Sequence, residues 1–521
     1  MTEAPPSTGS DRIGERRALL IALVAVLVPG LGINLVSPPI NWAWLHWVLY
    51  LPLLVVLDPG RGRRNAWLGY LSAWIGLATL FFWLAETVVR FSNLPMALAY
   101  VVVLLFATLF AVPGAIIFGA APWLRARLGI AWVFALPALA VACEHLYPFL
   151  FPYFVGVVHY RTPWVWQLAS VLGAAGLSFL VYLVNAALAE AWLRHRERRR
   201  PPWVMLAIVA GIFVANLGFG AWRHGRVEEQ LQQAPEIRVA LLQQNTTMEE
   251  RLSAPAHVAL KSWIKLTRKI LPLEPDLVVW PEGSVPFNPV EGASLDLYSG
   301  LAQAGEFDLL LGGGTIEGAD TEDYEVYNSS YLVNPQGAVV DRYDKMVLMP
   351  FGEYIPFADR FPFILELIQG PGNFTAGERA TVFETEHGSF TSPICYEGIL
   401  TDQMWALRDA DFIVNGTNDA WYGDTKCPHQ HSMLVAVQAM QLGRPLLRVA
   451  YTGISFVVEP HGEIRYETEP FTDAAKVEVL RRASMETLYS RGGRHFPWLC
   501  VLVAVSALIR ARSVTPQGDS S

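Results

Sequence analysis

Residues 276–284 read DLVVWPEGS, a short apolar and β-branched run stopped by Pro281 and followed at once by Glu282. A run of this length bounded by Pro and Gly reads as a buried strand. A carboxylate at its end then lies at a sheet edge, where side chains from different strands converge on a site in layered α/β folds. The pattern recurs twice, because Lys345 closes AVVDRYDK (338–345) and Cys395 closes SFTSPIC (389–395). Further strands are expected at 237–245, 307–314, 327–334, 411–417 and 454–460, with turns at NPQG (334–337) and EPHG (459–462). Helical periodicity covers 255–271 and 429–443, the second ending at Gly443. Interleaved strands and helices predict an α/β layered domain.

Outside this region the chain changes solvent. Of 521 residues, 53% are hydrophobic and 17% charged, against about 45–50% and about 25% in ordinary globular proteins. The excess lies in 18–222 and 496–509. A membrane-crossing helix needs about 20 mostly apolar residues, because lipid leaves backbone polar groups no partner outside the segment. Stretches near 18–35, 42–57, 66–88, 98–119, 129–147, 165–192, 203–222 and 496–509 qualify, which predicts an integral membrane protein with eight transmembrane helices. The first lacks a clear cleavage site and is read as retained.

Arginines set the orientation. With the N-terminus inside, the inner segments carry clusters at Arg12–Arg17, Arg61–Arg64, Arg125–Arg127, Arg194–Arg200 and Arg510–Arg512, while the short outer loops carry only Arg90 and Arg161. The expected organisation is therefore a cytoplasmic tail (1–17), a seven-helix membrane domain (18–225), an extracytoplasmic catalytic domain (226–490), and an eighth helix with a cytoplasmic tail (491–521). A formal charge of −8 argues against nucleic acid as a partner.

The four cysteines are too few and too scattered for a disulfide framework or a zinc cluster. Cys143 and Cys500 fall in apolar spans and read as packing. Cys395 is different in company: a thiolate nucleophile needs a base to take its proton and a cation to favour the anion. Glu282 can serve as the base. Lys345 can stabilise both the thiolate and the oxyanion of a tetrahedral intermediate. By residue type alone, a buried cysteine with two surface charges is the favoured reading over catalysis.

The flanking sequences extend the comparison. VVWPEGSVPF around Glu282, YDKMVLMPFGEYIPF around Lys345, ICYEGI around Cys395, and NGTNDAWYGDTKCPHQH followed by GRPLLRVAYTGISFVV resemble the nitrilase superfamily, and more narrowly its membrane branch, the apolipoprotein N-acyltransferases. The resemblance covers nearly the whole chain and implies a nitrilase-like αββα sandwich held by eight transmembrane helices. It implies Glu282 as general base, Lys345 as the oxyanion-stabilising cation and Cys395 as nucleophile. Glu353 would be a second essential carboxylate, orienting the lysine or the base. Tyr396 and Glu397 would shape the pocket beside the nucleophile, and Trp421 would line the acyl or acceptor channel. The implied reaction has two steps: the thiolate takes an acyl chain from a membrane glycerophospholipid, then passes it to the α-amine of the N-terminal diacylglyceryl-cysteine of an apolipoprotein. The implied setting is the bacterial inner membrane with the catalytic domain on the periplasmic side, a monomer, and no cofactor.

The stretch 351–374 is rich in aromatics and reads as a lid dipping toward the bilayer, with Phe357, Phe361 and Phe363 as contacts. Two positions depart from the family pattern, Gln244 after the first strand and Cys427. Cys427 with His429 and His431 gives C-x-H-x-H, but three ligands on a short segment do not close a zinc site, so no metal is expected and the histidines should serve local hydrogen bonds. Glu86 and Glu144, near the outer ends of spans, are expected to reach water; flanking a phospholipid entry path together with His145 is the alternative, and snorkelling at the interface is the simpler account. Two competing readings remain: a membrane-tethered amidase using the same three residues with water as acceptor, and a non-enzymatic transporter or scaffold. The scarcity of ionisable residues in the spans disfavours the latter.

Overall fold

The computed structural model describes residues 9–514 apart from 93, 247–248, 251–255, 322, 357, 359 and 361–372. The expected lid contacts Phe357, Phe361 and Phe363 lie outside the described residues.

The apolar segments form helices α1 (Gly9–Val36), α2 (Gly62–Leu80), α3 (Leu84–Phe91), α4 (Met96–Phe110), α5 (Val112–Leu128), α6 (Trp132–Leu146), α7 (Ala169–Arg196) and α8 (Trp203–Leu231). Among the described residues, five helical runs are long and apolar enough to cross a membrane, or six if α2 and α3, bent by 57° at their junction, form one span. The eight expected spans are thus not all separate long helices. The 42–57 segment is a 3-10 turn (Ala43–Trp47) and a four-residue helix (Leu51–Leu54), and α4 to α6 follow one another in one apolar run, Met96–Leu146. Large apolar side chains point outward along these helices, as at Leu19 (71% exposed), Trp203 (71%) and Ile509 (64%). Water would not tolerate so wide an apolar surface, and lipid would. The chain is a membrane protein.

The soluble part contains two six-stranded sheets among the described residues. The first orders its strands β12-β1-β2-β3-β4-β5, from β1 (Glu236–Gln243), β2 (Leu277–Trp280), β3 (Asp308–Glu317), β4 (Glu325–Val333), β5 (Val339–Asp344) and β12 (Ala474–Arg481). The second is β11-β10-β9-β8-β7-β6, from β6 (Phe383–Thr385), β7 (Gly388–Thr391), β8 (Phe412–Thr417), β9 (Leu446–Ala450), β10 (Phe456–Val458) and β11 (Ile464–Glu467). Parallel pairing joins β1–β2–β3 and β7–β8–β9, and the middle strands β2 and β8 are buried along their whole length because both of their faces are covered. The two expected turns close the β4–β5 and β10–β11 hairpins.

The sheets meet face to face through Val239, Leu241, Val279, Phe412, Val414 and Leu447. Helices α9 (Ala256–Ile270) and α10 (Gly292–Gly305) cover the outer face of the first sheet, with Trp263 and Tyr298 fully buried against Trp280. Over the second sheet lies α11 (Cys427–Leu442), and all its residues except His429 are buried. A surface helix would show one polar face. This one does not, because its far side packs on α7, so that a single apolar core runs from the membrane helices into the second sheet. The final helix α12 (Phe496–Ser513) returns to pack on α6. Polar bonds pin the junction: the Gln430 amide accepts from Trp83 Nε1 at 3.0 Å and donates to Leu80 O at 3.1 Å, and Gln441 Oε1 accepts from Ala174 N at 2.9 Å.

Within the bundle α2 and α5 cross at two glycines. A Cβ placed on Gly69 would stand 2.4 Å from the Gly114 carbonyl oxygen, and one on Gly114 2.7 Å from that of Gly69. Such small-residue crossings let helix backbones approach without hydrophobic driving force. Gly69→Val should therefore separate α2 from α5 and lower the melting temperature of the purified protein by several degrees, whereas Gly211→Ala on α8, where a Cβ meets nothing within 4 Å, should leave it unchanged. Equal melting curves for the two variants would contradict this packing.

Candidate active site

The three strand ends do meet. Glu282 follows β2 after Pro281, and its approach to the sheet depends on the Gly312–Gly314 run of β3, since a Cβ on Gly312 would fall 2.4 Å from the Pro281 carbonyl oxygen. One carboxylate oxygen of Glu282 accepts from Asn328 Nδ2 at 2.8 Å and the other from the Asn418 backbone N–H at 2.8 Å. Lys345, one residue past β5, is 1% exposed, with its ammonium 2.7 Å from Glu353 and 3.9 Å from Glu282. Burial alone would depress this lysine, but Glu353 and Glu282 outweigh it and hold the group above its ordinary value, so it stays charged.

Cys395 opens a short 3-10 turn, Cys395–Ile399, with φ at 50°. A non-glycine residue in the left-handed region is strained, and such strain collects at functional positions. The thiol is buried, and burial and then Glu282 push it well above the usual thiol range, while Lys345 and a hydrogen bond with Thr417 pull the other way. The resting sulfur is thus a neutral thiol with a carboxylate and an ammonium both acting on it. That set can move a proton from sulfur to carboxylate and stabilise a negative oxygen formed nearby.

One Glu353 oxygen accepts from the Lys345 ammonium and from Met349 N at 2.8 Å, and the other accepts from Asn328 Nδ2 at 2.7 Å. Glu397 is fully buried and acts as a clamp, accepting from Met346 N (2.8 Å), Val347 N (3.0 Å), Ile394 N (2.8 Å) and the Tyr343 hydroxyl (2.9 Å). It therefore ties the segment after Lys345 to the residue before Cys395. Burial lifts its carboxyl to about 7, against the pull of Lys345 and these donors. Tyr396 reaches the membrane part, donating to Leu150 O at 2.6 Å. Trp421 stacks on Phe91 of α3 at 4.6 Å. It lines a cleft of about 320 Å³ together with Glu282, Lys345, Glu353, Phe374 and Tyr422. Cys395 is 5% exposed and does not line this cleft.

Several residues escaped the sequence reading. Asn328 joins Glu282 to Glu353 through one amide nitrogen and gives its own carbonyl to Lys345 N at 2.9 Å. A lone Asn inside a strand carries no signal of this. Behind Cys395, Asp419 and Arg448 are both wholly buried and paired at 2.9 Å. Burial would raise Asp419, yet Arg448 and His431 hold it below the ordinary carboxylate range. His431 lies 2.9 Å from Asp419 and 3.4 Å from the Cys395 carbonyl oxygen, so it serves local hydrogen bonds as expected. Among the described residues the histidine and acidic side chains close enough to hold a metal are His224, His461 and Glu463 rather than the C-x-H-x-H segment. Arg465 already lies 3.4 Å from Glu463 there.

One expectation fails. Glu86 reaches the surface and pairs with Arg90 at 3.6 Å, but both carboxylate oxygens of Glu144 are shut away from solvent, with Ser178, Tyr182 and the Val155 N–H around them.

Residues 238–482 match the carbon-nitrogen hydrolase family and residues 30–187 the apolipoprotein N-acyltransferase N-terminal domain. Over 97% of its length the chain is 30% identical to an apolipoprotein N-acyltransferase of Geobacter metallireducens, 98% of which is covered. It is 29% identical to one from Bdellovibrio bacteriovorus, across 91% of this chain and 90% of that one. Among solved structures it is similar to an amidase from Nesterenkonia sp., 17% identical over 49% of this chain and 92% of that one, with a TM-score of 0.36.

The charge arrangement around sulfur fixes the direction of two perturbations. In Glu282→Gln the neighbouring negative charge is gone and the pH profile of Cys395 alkylation by iodoacetamide should move to lower pH. In Lys345→Met the cation is gone and the profile should move to higher pH. Peptide mass spectrometry across a pH series reads both, and a shift of the same sign in the two variants would refute the arrangement.

Proposed function

The chain belongs to the apolipoprotein N-acyltransferase family and is an acyltransferase, and from that premise we propose that it carries a fatty acyl chain from a membrane glycerophospholipid, through a thioester on Cys395, to the α-amine of an apolipoprotein's N-terminal diacylglyceryl-cysteine. The observation that carries the reading is that Glu282 and Lys345 act on the buried thiol and, with Glu353, Trp421 and Phe91, line one cleft.

Glu282 takes the proton from sulfur as it attacks the ester carbonyl of the lipid. Lys345 balances the negative oxygen of the tetrahedral intermediate, and Glu353 keeps that ammonium in place. The C–O bond then breaks, and the departing lysophospholipid oxygen takes the proton held by Glu282. In the second half the amine attacks the thioester, the C–S bond breaks, and one amine proton returns through Glu282 to sulfur. No cofactor is required. Trp421 and Phe91, stacked between soluble part and membrane helix, supply an apolar flank for the chain.

In this reading the membrane part crosses eight times, counting the short 43–54 segment, joining α2 to α3, and dividing Met96–Leu146 once, at the Gly129–Ala131 turn. The arginine clusters support a cytoplasmic N-terminus and a catalytic domain (226–490) on the periplasmic side of a bacterial inner membrane, acting as a monomer. Hydrolysis of a soluble amide would use the same three residues but would leave the shared membrane core without a task.

Incubation with phosphatidylethanolamine should add one acyl mass to the Cys395 peptide, and a diacylated lipopeptide should remove it. Cys395→Ala should show no adduct, and Glu282→Gln and Lys345→Ala should each slow its formation by about 10²–10⁴-fold in protein that remains folded. Wild-type adduct rates in either charge variant would overturn the assignment, and ammonia release without lipid would favour the amidase.

A further inference from the structure

Cys395 is held at a φ of 50°, and a strained backbone persists only where its surroundings hold it. On its N-terminal side the Glu397 carboxylate accepts from Ile394 N at 2.8 Å. On its C-terminal side the Cys395 carbonyl oxygen meets two side chains, Asn415 Nδ2 and His431 Nε2, each at 3.4 Å. Asn415 is tied to the same turn, donating to Pro393 O at 2.9 Å. His431 is tied instead to a buried charge pair. Its Nδ1 lies 2.9 Å from Asp419 Oδ1 and 3.0 Å from Arg448, whose guanidinium pairs with Asp419 at 2.9 Å.

The side chains of Asp419 and Arg448 are both 0% exposed, and an ion pair so deeply buried often gives no more stability than apolar residues of the same volume. What it does give is control of the imidazole. A proton on Nδ1 alone would leave the Nε2 lone pair facing the Cys395 carbonyl oxygen, acceptor against acceptor. With the proton on Nε2, the ring donates to that oxygen and Nδ1 accepts from Arg448. Burial and then Arg448 hold the imidazole below its ordinary value against the pull of Asp419, so the ring is neutral. Tyr422 packs at right angles to it, and Gly453 makes room for Asp419, since a Cβ there would stand 2.0 Å from the carboxylate. Asp419, His431 and Arg448 do not line the cleft at Glu282, so any influence they have on the reaction passes through Cys395.

We infer that His431 is a positioning residue for the nucleophile: its Nε2–H holds the Cys395 carbonyl, and so the left-handed turn that presents the sulfur to Glu282 and Lys345, while Asp419 and Arg448 fix the ring. Without that bond the Cys395 peptide is free to relax toward the ordinary negative φ, and the sulfur moves with it. A displacement of about 1 Å from the reacting geometry can cost about 10²-fold in rate. The inference rests on Cys395 as the nucleophile of the proposed function and on no particular acyl donor.

The test uses the full-length protein in maltoside micelles with p-nitrophenyl butyrate, whose burst of p-nitrophenolate reports acylation of Cys395 without any lipid. Failure of the lipid reaction and failure of this inference are therefore read separately. His431→Asn keeps an amide beside Asp419 and Arg448 but is too short to reach the Cys395 carbonyl, whereas His431→Gln can place a donor where Nε2 stood. His431→Asn should lower the limiting acylation rate by about 10–10²-fold at an unchanged half-saturating ester concentration, and His431→Gln should restore most of that rate. A merely structural loss would lower the two variants together. An undiminished limiting rate in His431→Asn, or a folded His431→Gln no faster than His431→Asn, would overturn the inference. Should His431→Asn fail to fold, a His431→Gln rate about tenfold or more below wild type would overturn it instead.

Discussion

An ammonium almost sealed from water must be answered by negative charge close at hand, and Lys345 is answered by Glu353 at 2.7 Å and by Glu282 at 3.9 Å. Much of the site follows from that demand. Two carboxylates this close to one cation need further donors, which Asn328, Met349 N and Asn418 N provide. Those donors belong to β4, to the segment after β5 and to the segment after β8, so satisfying one buried charge locks elements from both sheets. The strained Cys395 is then fixed to the same frame through Glu397, whose donors come from both 346–347 and 394.

The second constraint is the shared core. In an isolated αββα sandwich the outer helix of the second sheet would carry a wet face. Here α11 is buried on both sides, between sheet and α7, and the buried glutamines on its membrane-facing side hydrogen-bond to Trp83, Leu80 and Ala174. The soluble part is therefore seated on the bundle by packing as well as by tethers. The Trp421–Phe91 stack then places a cleft wall at the junction between the two solvents.

The sequence was informative wherever pattern and chemistry coincide. Apolar runs ending in Pro, Gly or a charged residue located β2, β3, β5 and β8, and Gly443 ended α11 as read, in the left-handed conformation. It was silent where burial contradicts composition. β9 carries Arg448 at its centre, β12 alternates charge with apolar residues along a sheet edge, and β6 is only three residues long. Glu144 was misread for the same reason: its distance along α6 suggested access to water, and only the path of the following chain decides whether the carboxylate is covered.

By itself the sequence determined two solvents, a layered α/β domain and three residues of reactive type at strand ends, because hydrophobic period and residue chemistry are local properties. Tertiary structure alone decided that Glu353 rather than Glu282 holds Lys345 most closely, that Asn328 bridges the two carboxylates, and that Glu397 clamps instead of lining the cleft. Those outcomes depend on distances of a few ångströms between segments dozens of residues apart, which no local pattern encodes and only the closure of both sheets over a common core sets.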